Sequence, residues 1–275
     1  MSSDIDWTMV LIKTPITRYL GKFDALDLSL TNKRIRLKLY SKIFDDLIID
    51  SKVLNSHSNY FDLKRCYQFR NLTWIKRFKL ARKYGSNKDL AFKEVQIDPF
   101  IKEITSTLIS ASIHCKSLIF HNLTRASYFL FPVFDNFINL RKLYLCGCEI
   151  PNSNFINLLT KLDNLDILIM QCIYLTLTNY EDRSLARNIK LPISLKKLTY
   201  LSVRLEITDW YQMKPREVIR NITLGDDVED LDIMPQIFPN LKYFEFYDNG
   251  QGTGKMEEFK VLNPNVQYVN NFLVL

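Results

Sequence analysis

The sequence is poor in glycine, with 7 in 275 residues. That scarcity argues against an all-β barrel, whose many tight turns call for glycine. No apolar run approaches the roughly 18 residues that mark a membrane-crossing helix, so no membrane partner is expected. The first residues, Met-Ser-Ser-Asp-Ile-Asp, lack the basic start and long apolar stretch of a secretory leader. The cysteine count of 5 is odd and does not suggest a disulfide framework. Together these absences point to a soluble intracellular protein, cytoplasmic or nuclear, in which the sequons at Asn71, Asn122 and Asn221 carry no weight.

Strong charge of either sign is also missing. The 37 basic and 30 acidic residues leave +7, mild and diffuse along the chain. The densest run, Lys33-Arg34-Ile35-Arg36-Leu37-Lys38, interleaves cations with apolar residues. That is the pattern of a solvated helix face and not of a phosphate clamp, and it argues against a nucleic-acid partner.

Chemistry-bearing motifs are scarce. The histidines are 3 in number, at His57, His114 and His121, and none stands in a nucleophile–base arrangement. Cys146 and Cys148, with Cys172, have no second pair or histidine at zinc spacing; Cys148 reads as a turn residue that satisfies backbone groups, and Cys172 lies close to the matching place further on. The run Gly250-Gln251-Gly252-Thr253-Gly254-Lys255 looks like a phosphate loop but fails in detail, because Asn249 stands where the first glycine belongs and Met256 where a magnesium-binding hydroxyl is needed. No catalytic residue, cofactor or metal is expected, and the chain is not read as an enzyme.

What the sequence does contain is a recurring phrase. Leu140-Arg-Lys-Leu143-Tyr-Leu145-Cys-Gly-Cys148-Glu-Ile150 and Leu241-Lys-Tyr-Phe244-Glu-Phe246-Tyr-Asp-Asn249 share the spacing L-x-x-L-x-L-x-x-(N/C). With the fourth position as anchor, Leu118, Leu143 and Leu168 follow one another at intervals of 25 residues. Weaker anchors are Val95, Leu201, Ile222 and Val269, with Phe78 as an early degenerate unit; the long step from Leu168 to Leu201 places an insertion around 179–189. Alternating apolar positions put two side chains on one face of a short strand. Between strands the spacing is helical: Ile101, Ile104, Leu108 and Ile109 after Pro99, and Phe155, Leu158, Leu159 and Leu162 after Pro151. A single such unit cannot offset its ordering entropy of about 1–2 kcal/mol per residue, so the units must stack. The phrase resembles leucine-rich repeats. That resemblance implies an α/β solenoid with a parallel β-sheet on its concave side and helices on its convex side. Strand alternation sends the third, fifth and seventh positions to the concave face. These are Glu94, Gln96 and Asp98; Ser117, Ile119 and His121; Lys142, Tyr144 and Cys146; Ile167, Ile169 and Gln171; Tyr200, Ser202 and Arg204; Asn221 and Thr223; and Tyr243, Glu245 and Tyr247. Exposed isoleucine and tyrosine beside Lys142 and Arg204 make Lys142, Tyr144, Ile167, Ile169, Tyr200, Arg204, Tyr243 and Tyr247 the expected partner-binding residues.

Residues 5–44 do not follow the repeat. Thr14-Pro15 reads as a helix start, with Ile16, Tyr19, Leu20 and Phe23 on one face. Asp24 can cap a second helix, in which Leu26 and Leu30 share a side. Leu39, Ile43 and Phe44 follow. A unit of this size is too small for a self-sufficient core. The run Asp24-Ala-Leu-Asp-Leu-Ser-Leu-Thr-Asn-Lys-Arg-Ile-Arg36, with Ile16-Thr-Arg-Tyr19-Leu20 before it and Leu39-Tyr40 and Ile43-Phe44 after it, is similar to an F-box. It departs from many F-boxes at the opening Leu-Pro, where Lys13-Thr14-Pro15 stands. Phe44-x-x-Leu47-x-Ile49-Asp50 then reads as the first strand of the array.

The chain thus resembles F-box proteins with leucine-rich repeats. The resemblance implies an F-box-like helical domain at 5–44 and a repeat solenoid at 45–275 with degenerate early units. It implies the substrate-recognition subunit of a Skp–cullin–F-box ubiquitin ligase. A Skp-type adaptor, and through it a cullin, would bind Ile16, Tyr19, Leu20, Leu28 and Leu30, and a protein substrate would bind the concave face. The alternative reading is a repeat scaffold whose N-terminal helices are only a cap.

Overall fold

In the computed structural model the described residues are 20–50, 74–84, 95, 97–124, 126–177, 189–207, 228–231, 233–247 and 254–271. In chain order they form α1 (Lys22–Thr31), α2 (Lys33–Ile43), β1 (Asp46–Asp50), α3 (Trp74–Tyr84), α4 (Asp98–Ser112), β2 (Ser117–Thr124), α5 (Ala126–Leu130) and a 3-10 helix at Phe131–Asn136. These are followed by β3 (Lys142–Pro151), α6 (Asn152–Leu159), β4 (Ile167–Leu177), β5 (Lys197–Ile207), β6 (Val228–Asp230), β7 (Tyr243–Phe246), α7 (Lys255–Leu262) and β8 (Gln267–Asn270). The fold is α/β, with helices and one 8-stranded sheet in the order β1-β2-β3-β4-β5-β7-β8. All its ladders are parallel except that of β6, which lies antiparallel against β5.

Register follows the apolar anchors. Leu118 pairs with Leu143, Leu143 with Leu168, Leu168 with Leu198, and Leu198 with Phe244. All five side chains are fully buried, because a parallel pair held in register places like positions on the same face. Helices and loops close over them. On α4, Phe100 is buried and Ile101, Ile104 and Leu108 pack against the core, whereas Ile109 turns outward. On and after α6, Phe155, Leu158, Leu159 and Leu162 are buried. Phenylalanine fills the rest: Phe120 lies 5.0 Å from Phe134 and 5.8 Å from Phe131 between ring centroids, and Phe244 lies 4.9 Å from Phe259.

Four of the strands turn at one shared point. Asn122, Gly147, Cys172 and Ser202 all have φ between 51° and 58°, the left-handed region that side chains disfavour by roughly 1–2 kcal/mol each. Gly147, Cys172 and Ser202 occupy matching places between the pairs Cys146–Gln171–Leu201 and Cys148–Ile173–Val203. The turn resets the alternation. Leu143 and Leu145 face the core before it, and Cys148 and Ile150 after it.

The pairings also correct several anchors. Phe78 is in α3, and Val95 is helical, so β1 pairs directly with β2. In β5 the anchor is Leu198 and not Leu201. In β8 it is Tyr268, one residue before Val269. Ile222 lies outside the described residues, and β7 pairs directly with β5, leaving no strand between them on that path. The expected insertion at 179–189 also falls outside them, save Ile189.

The turn point provides a test. A Cβ on Gly147 would lie 2.7 Å from the side-chain oxygen of Asn122, at a φ of 58°. Gly147→Ala is therefore expected to lower unfolding free energy by about 1–3 kcal/mol. Ser202→Gly, which relieves a left-handed residue, should leave it unchanged or raise it. Denaturant melts of the two variants check this; a Gly147→Ala protein as stable as the parent overturns the account.

Candidate functional site

One face of the sheet is filled by the anchors; the other stays partly open. Its rows are read straight off the register. The first runs Asp46, Ser117, Lys142, Ile167, Lys197, Tyr243 and Gln267. The second runs Ile48, Ile119, Tyr144, Ile169, Thr199, Glu245 and Val269. The third contains Asp50, His121, Cys146, Gln171 and Leu201.

The second row is an apolar band across β1–β4. Ile48 is 53% exposed on the edge strand, and Ile119, Tyr144 and Ile169 are half-buried beside it. The Tyr144 ring lies nearly parallel to the His121 ring, with centroids 6.4 Å apart. At β5 the row turns polar: Thr199 donates to a Glu245 oxygen at 3.0 Å, and Asn271 donates to the other. Lys142 and Lys197 flank Ile167 in the first row, and the Lys197 ammonium sits 4.8 Å from the Tyr243 ring centroid. Below the strands' N-terminal ends, Asp45 pairs with Lys116 at 2.8 Å, and Asp166 with Lys196 at 2.9 Å and Arg141 at 3.8 Å. These solvent-accessible pairs contribute about 0–1 kcal/mol each.

Lys142, Tyr144, Ile167, Ile169 and Tyr243 therefore share the open face as expected, with Tyr247 exposed just past β7. Tyr200 does not. It pairs with Met170, packs against the core, and its hydroxyl donates to the Leu231 carbonyl at 2.8 Å. The cause is the shifted anchor: Leu195, Leu198 and Leu201 are evenly spaced, so two frames fit the phrase, and the wrong one flips every side chain in the strand. Lys197, Thr199 and Leu201 take these positions instead, Lys197 half-buried and Thr199 and Leu201 buried. Arg204 lies beyond the turn point, its guanidinium 3.1 Å from Asp230 and 3.4 Å from the Tyr174 hydroxyl. Asp98 is in α4, and Glu94, Gln96, Asn221 and Thr223 lie outside the described residues.

The N-terminal helices make a second surface. Asn32 ends α1 and caps α2, its side chain accepting from the Arg34 amide at 2.8 Å. Asp24 is not the cap of α1 but stands inside its first turn, accepting from the Gly21 amide at 3.0 Å. Ala25, Ile35 and Leu39 are buried between the helices, with Leu20, Leu28 and Ile43 packed around them. Leu20 and Leu28, expected to meet a partner, are thus turned toward the pair's own core. Ile16 and Tyr19 lie outside the described residues. Leu30 is 68% exposed and Phe23 82%; with Leu26 they recur at i, i+3, i+7, one stripe of α1. Leu37 is exposed on α2.

Three of the described thiols, Cys115, Cys146 and Cys148, are poor nucleophiles. Burial pushes Cys148 up to about 12 and Cys115 up to about 11, and raises Cys146 as well. Burial, then the hydrogen bond with Cys146, pushes the Tyr144 phenol to about 12. Cys148 donates to the Cys146 carbonyl at 3.2 Å, as the turn reading required, but the residue matching it in β4 is Ile173; Cys172 is exposed at the left-handed turn. No cluster of three metal-ligating side chains occurs among the described residues, and no described helix is long and apolar enough to cross a membrane. No protein-family model matches the sequence, and no curated protein matches it.

The raised values fix a pH dependence. Both buried thiols hold their protons to higher pH in the folded state, so their stabilising effect is complete below about 9 and is lost between there and about 12. Stability should fall from pH 8 to pH 10.5, and fall less in Cys148→Ala. At pH 8, Cys172 should react with a maleimide while Cys115 and Cys148 stay unmodified until the protein unfolds; peptide mapping of labelled protein decides it.

Proposed function

We propose that this chain is the substrate-recognition subunit of a Skp–cullin–F-box ubiquitin ligase. The helical pair α1–α2 serves as the F-box and binds a Skp-type adaptor, and through it a cullin. The sheet and its helices serve as a leucine-rich-repeat array that holds a protein substrate on the open face. The chain's contribution is proximity and orientation of that substrate.

One observation carries the reading. A helix pair with a three-residue buried core leaves Phe23, Leu26, Leu30 and Leu37 in solvent. Burying a large apolar side chain is worth about 1.5–3 kcal/mol, so the stripe Phe23, Leu26 and Leu30 on so small a unit marks a partner surface. The similarity of the 24–36 run to an F-box names the partner, and the strand that follows at Asp46–Asp50 is where F-box proteins of this kind begin their repeats.

A second reading, a repeat scaffold with an N-terminal cap, draws support from the seam between α2 and the sheet. Tyr40 lies 6.2 Å from His114 between ring centroids, and the Asp45 carbonyl accepts from the Lys116 and Ser117 amides. The two readings part on one experiment. Co-expressed with a Skp-type adaptor, the full chain should elute as a 1:1 complex in size exclusion. Phe23→Asp with Leu30→Asp should abolish that complex and leave the melting temperature of the chain unchanged. An adaptor complex that survives both substitutions, or never forms with the parent chain, sinks the ligase assignment and leaves the cap.

A further inference from the structure

We infer that the open face selects an extended protein segment in which an acidic residue lies within a few residues of bulky apolar side chains, the acid seated between Lys142 and Lys197. The inference rests on the proposed role of the sheet as a substrate platform and adds the chemistry of what it takes.

Lys142 and Lys197 stand on β3 and β5, either side of Ile167 on β4. Neighbouring strands are about 4.8 Å apart, so the two stems are separated by roughly 10 Å, a gap that one carboxylate can bridge. Among the described residues no carboxylate pairs with either lysine; the ion pairs of this region are made by Lys116, Arg141 and Lys196 instead. The positions on this side of β3, β4 and β5 are Lys142, Tyr144, Cys146, Ile167, Ile169, Gln171, Lys197 and the buried Thr199 and Leu201, with no acid among them. At that separation the two ammonium groups repel only weakly, and a carboxylate placed between them is attracted by both.

The acids of this face are elsewhere. Asp46 and Asp50 are on β1, and Glu245 on β7 is engaged by Thr199 and Asn271. The ligand's acid is therefore disfavoured at both ends and favoured at the centre. Its apolar part has one place to lie, the band Ile48, Ile119, Tyr144 and Ile169. That band crosses three strand spacings, roughly 14 Å, which about four extended residues span at ~3.3 Å each. The third-row neighbours His121 and Gln171 border it with hydrogen-bonding groups that suit a peptide backbone.

The test is a selection of displayed random dodecapeptides on the full chain, followed by binding of the enriched peptides to the parent and to Lys142→Glu with Lys197→Glu. Enriched sequences should carry Asp or Glu within a few residues of Leu, Ile, Phe, Tyr or Trp. The double variant should bind them about tenfold or more weakly with an unchanged melting temperature, whereas Lys242→Glu, at the edge before β7, should bind as the parent does. Enrichment of basic peptides, no enrichment, or affinity indifferent to the double variant overturns the inference. The adaptor co-elution is read on the same preparations. Peptide selection without adaptor capture rejects the ligase role alone, and adaptor capture without acidic selection rejects this specificity alone.

Discussion

Everything in this molecule hangs on strands being in register across a parallel sheet. Leu118, Leu143, Leu168, Leu198 and Phe244 form one buried row, and no member of it could shift by a residue without moving its strand's apolar set into water. The cost of that lock is visible in the backbone. Cys172 and Ser202 accept a left-handed φ, though each has a Cβ, because their strands must turn where Gly147 turns if the ladder hydrogen bonds are to continue on both sides. A strained residue of this kind persists only where the surroundings over-determine it. Here the surroundings are the adjacent strands.

The same register makes the open face. Once the anchors are inward, strand alternation leaves Ile119, Tyr144 and Ile169 level with one another on the other side, and Lys142, Ile167 and Lys197 level beside them. No local preference of these residues places them together; they are collected from stretches some 25 residues apart by the pairing of their neighbours. A surface assembled in this way is set by the core, so a substitution on the open face can change what binds without changing the fold.

Much of this was legible from the chain. The Leu118, Leu143 and Leu168 units are strictly spaced, and each strand sits where its phrase does. The helix after Pro151 buries the four residues its spacing named. What failed did so for physical reasons. Leu195, Leu198 and Leu201 offer two frames of equal apolar quality, and only pairing with β4 chooses between them; Tyr200 left the expected face for that reason, whereas Arg204 lies beyond the left-handed turn at Ser202. Phe78 and Ile75 mimic a strand phrase, but the run around them is rich in helix-forming Lys, Arg and Leu, and the helix prevails. In the N-terminal pair, spacing could show that α1 has two apolar sides but not which side α2 would cover. Ala25 and Leu28 turned inward, and Phe23 and Leu30 outward, because the small residue Ala25 lets the helices approach closely where a phenylalanine could not.

That last choice bears on how the two parts of the chain divide the work. The sheet draws its stability from a core that runs from Ile49 to Val266, whereas α1 and α2 share three buried apolar side chains among the described residues. Below about 40 residues a unit lacks the buried area to offset its own ordering, so the helical pair draws on its seam with the sheet and has Phe23, Leu26 and Leu30 still to bury. A partner that binds this stripe completes a core and need not merely rest on a finished surface. The sheet has no such deficit: its open face lies over a complete core and is half-buried, a surface that can be left empty and filled in turn. This asymmetry suits the proposed role of a recognition subunit, in which one end is held because it is incomplete and the other releases because it is not.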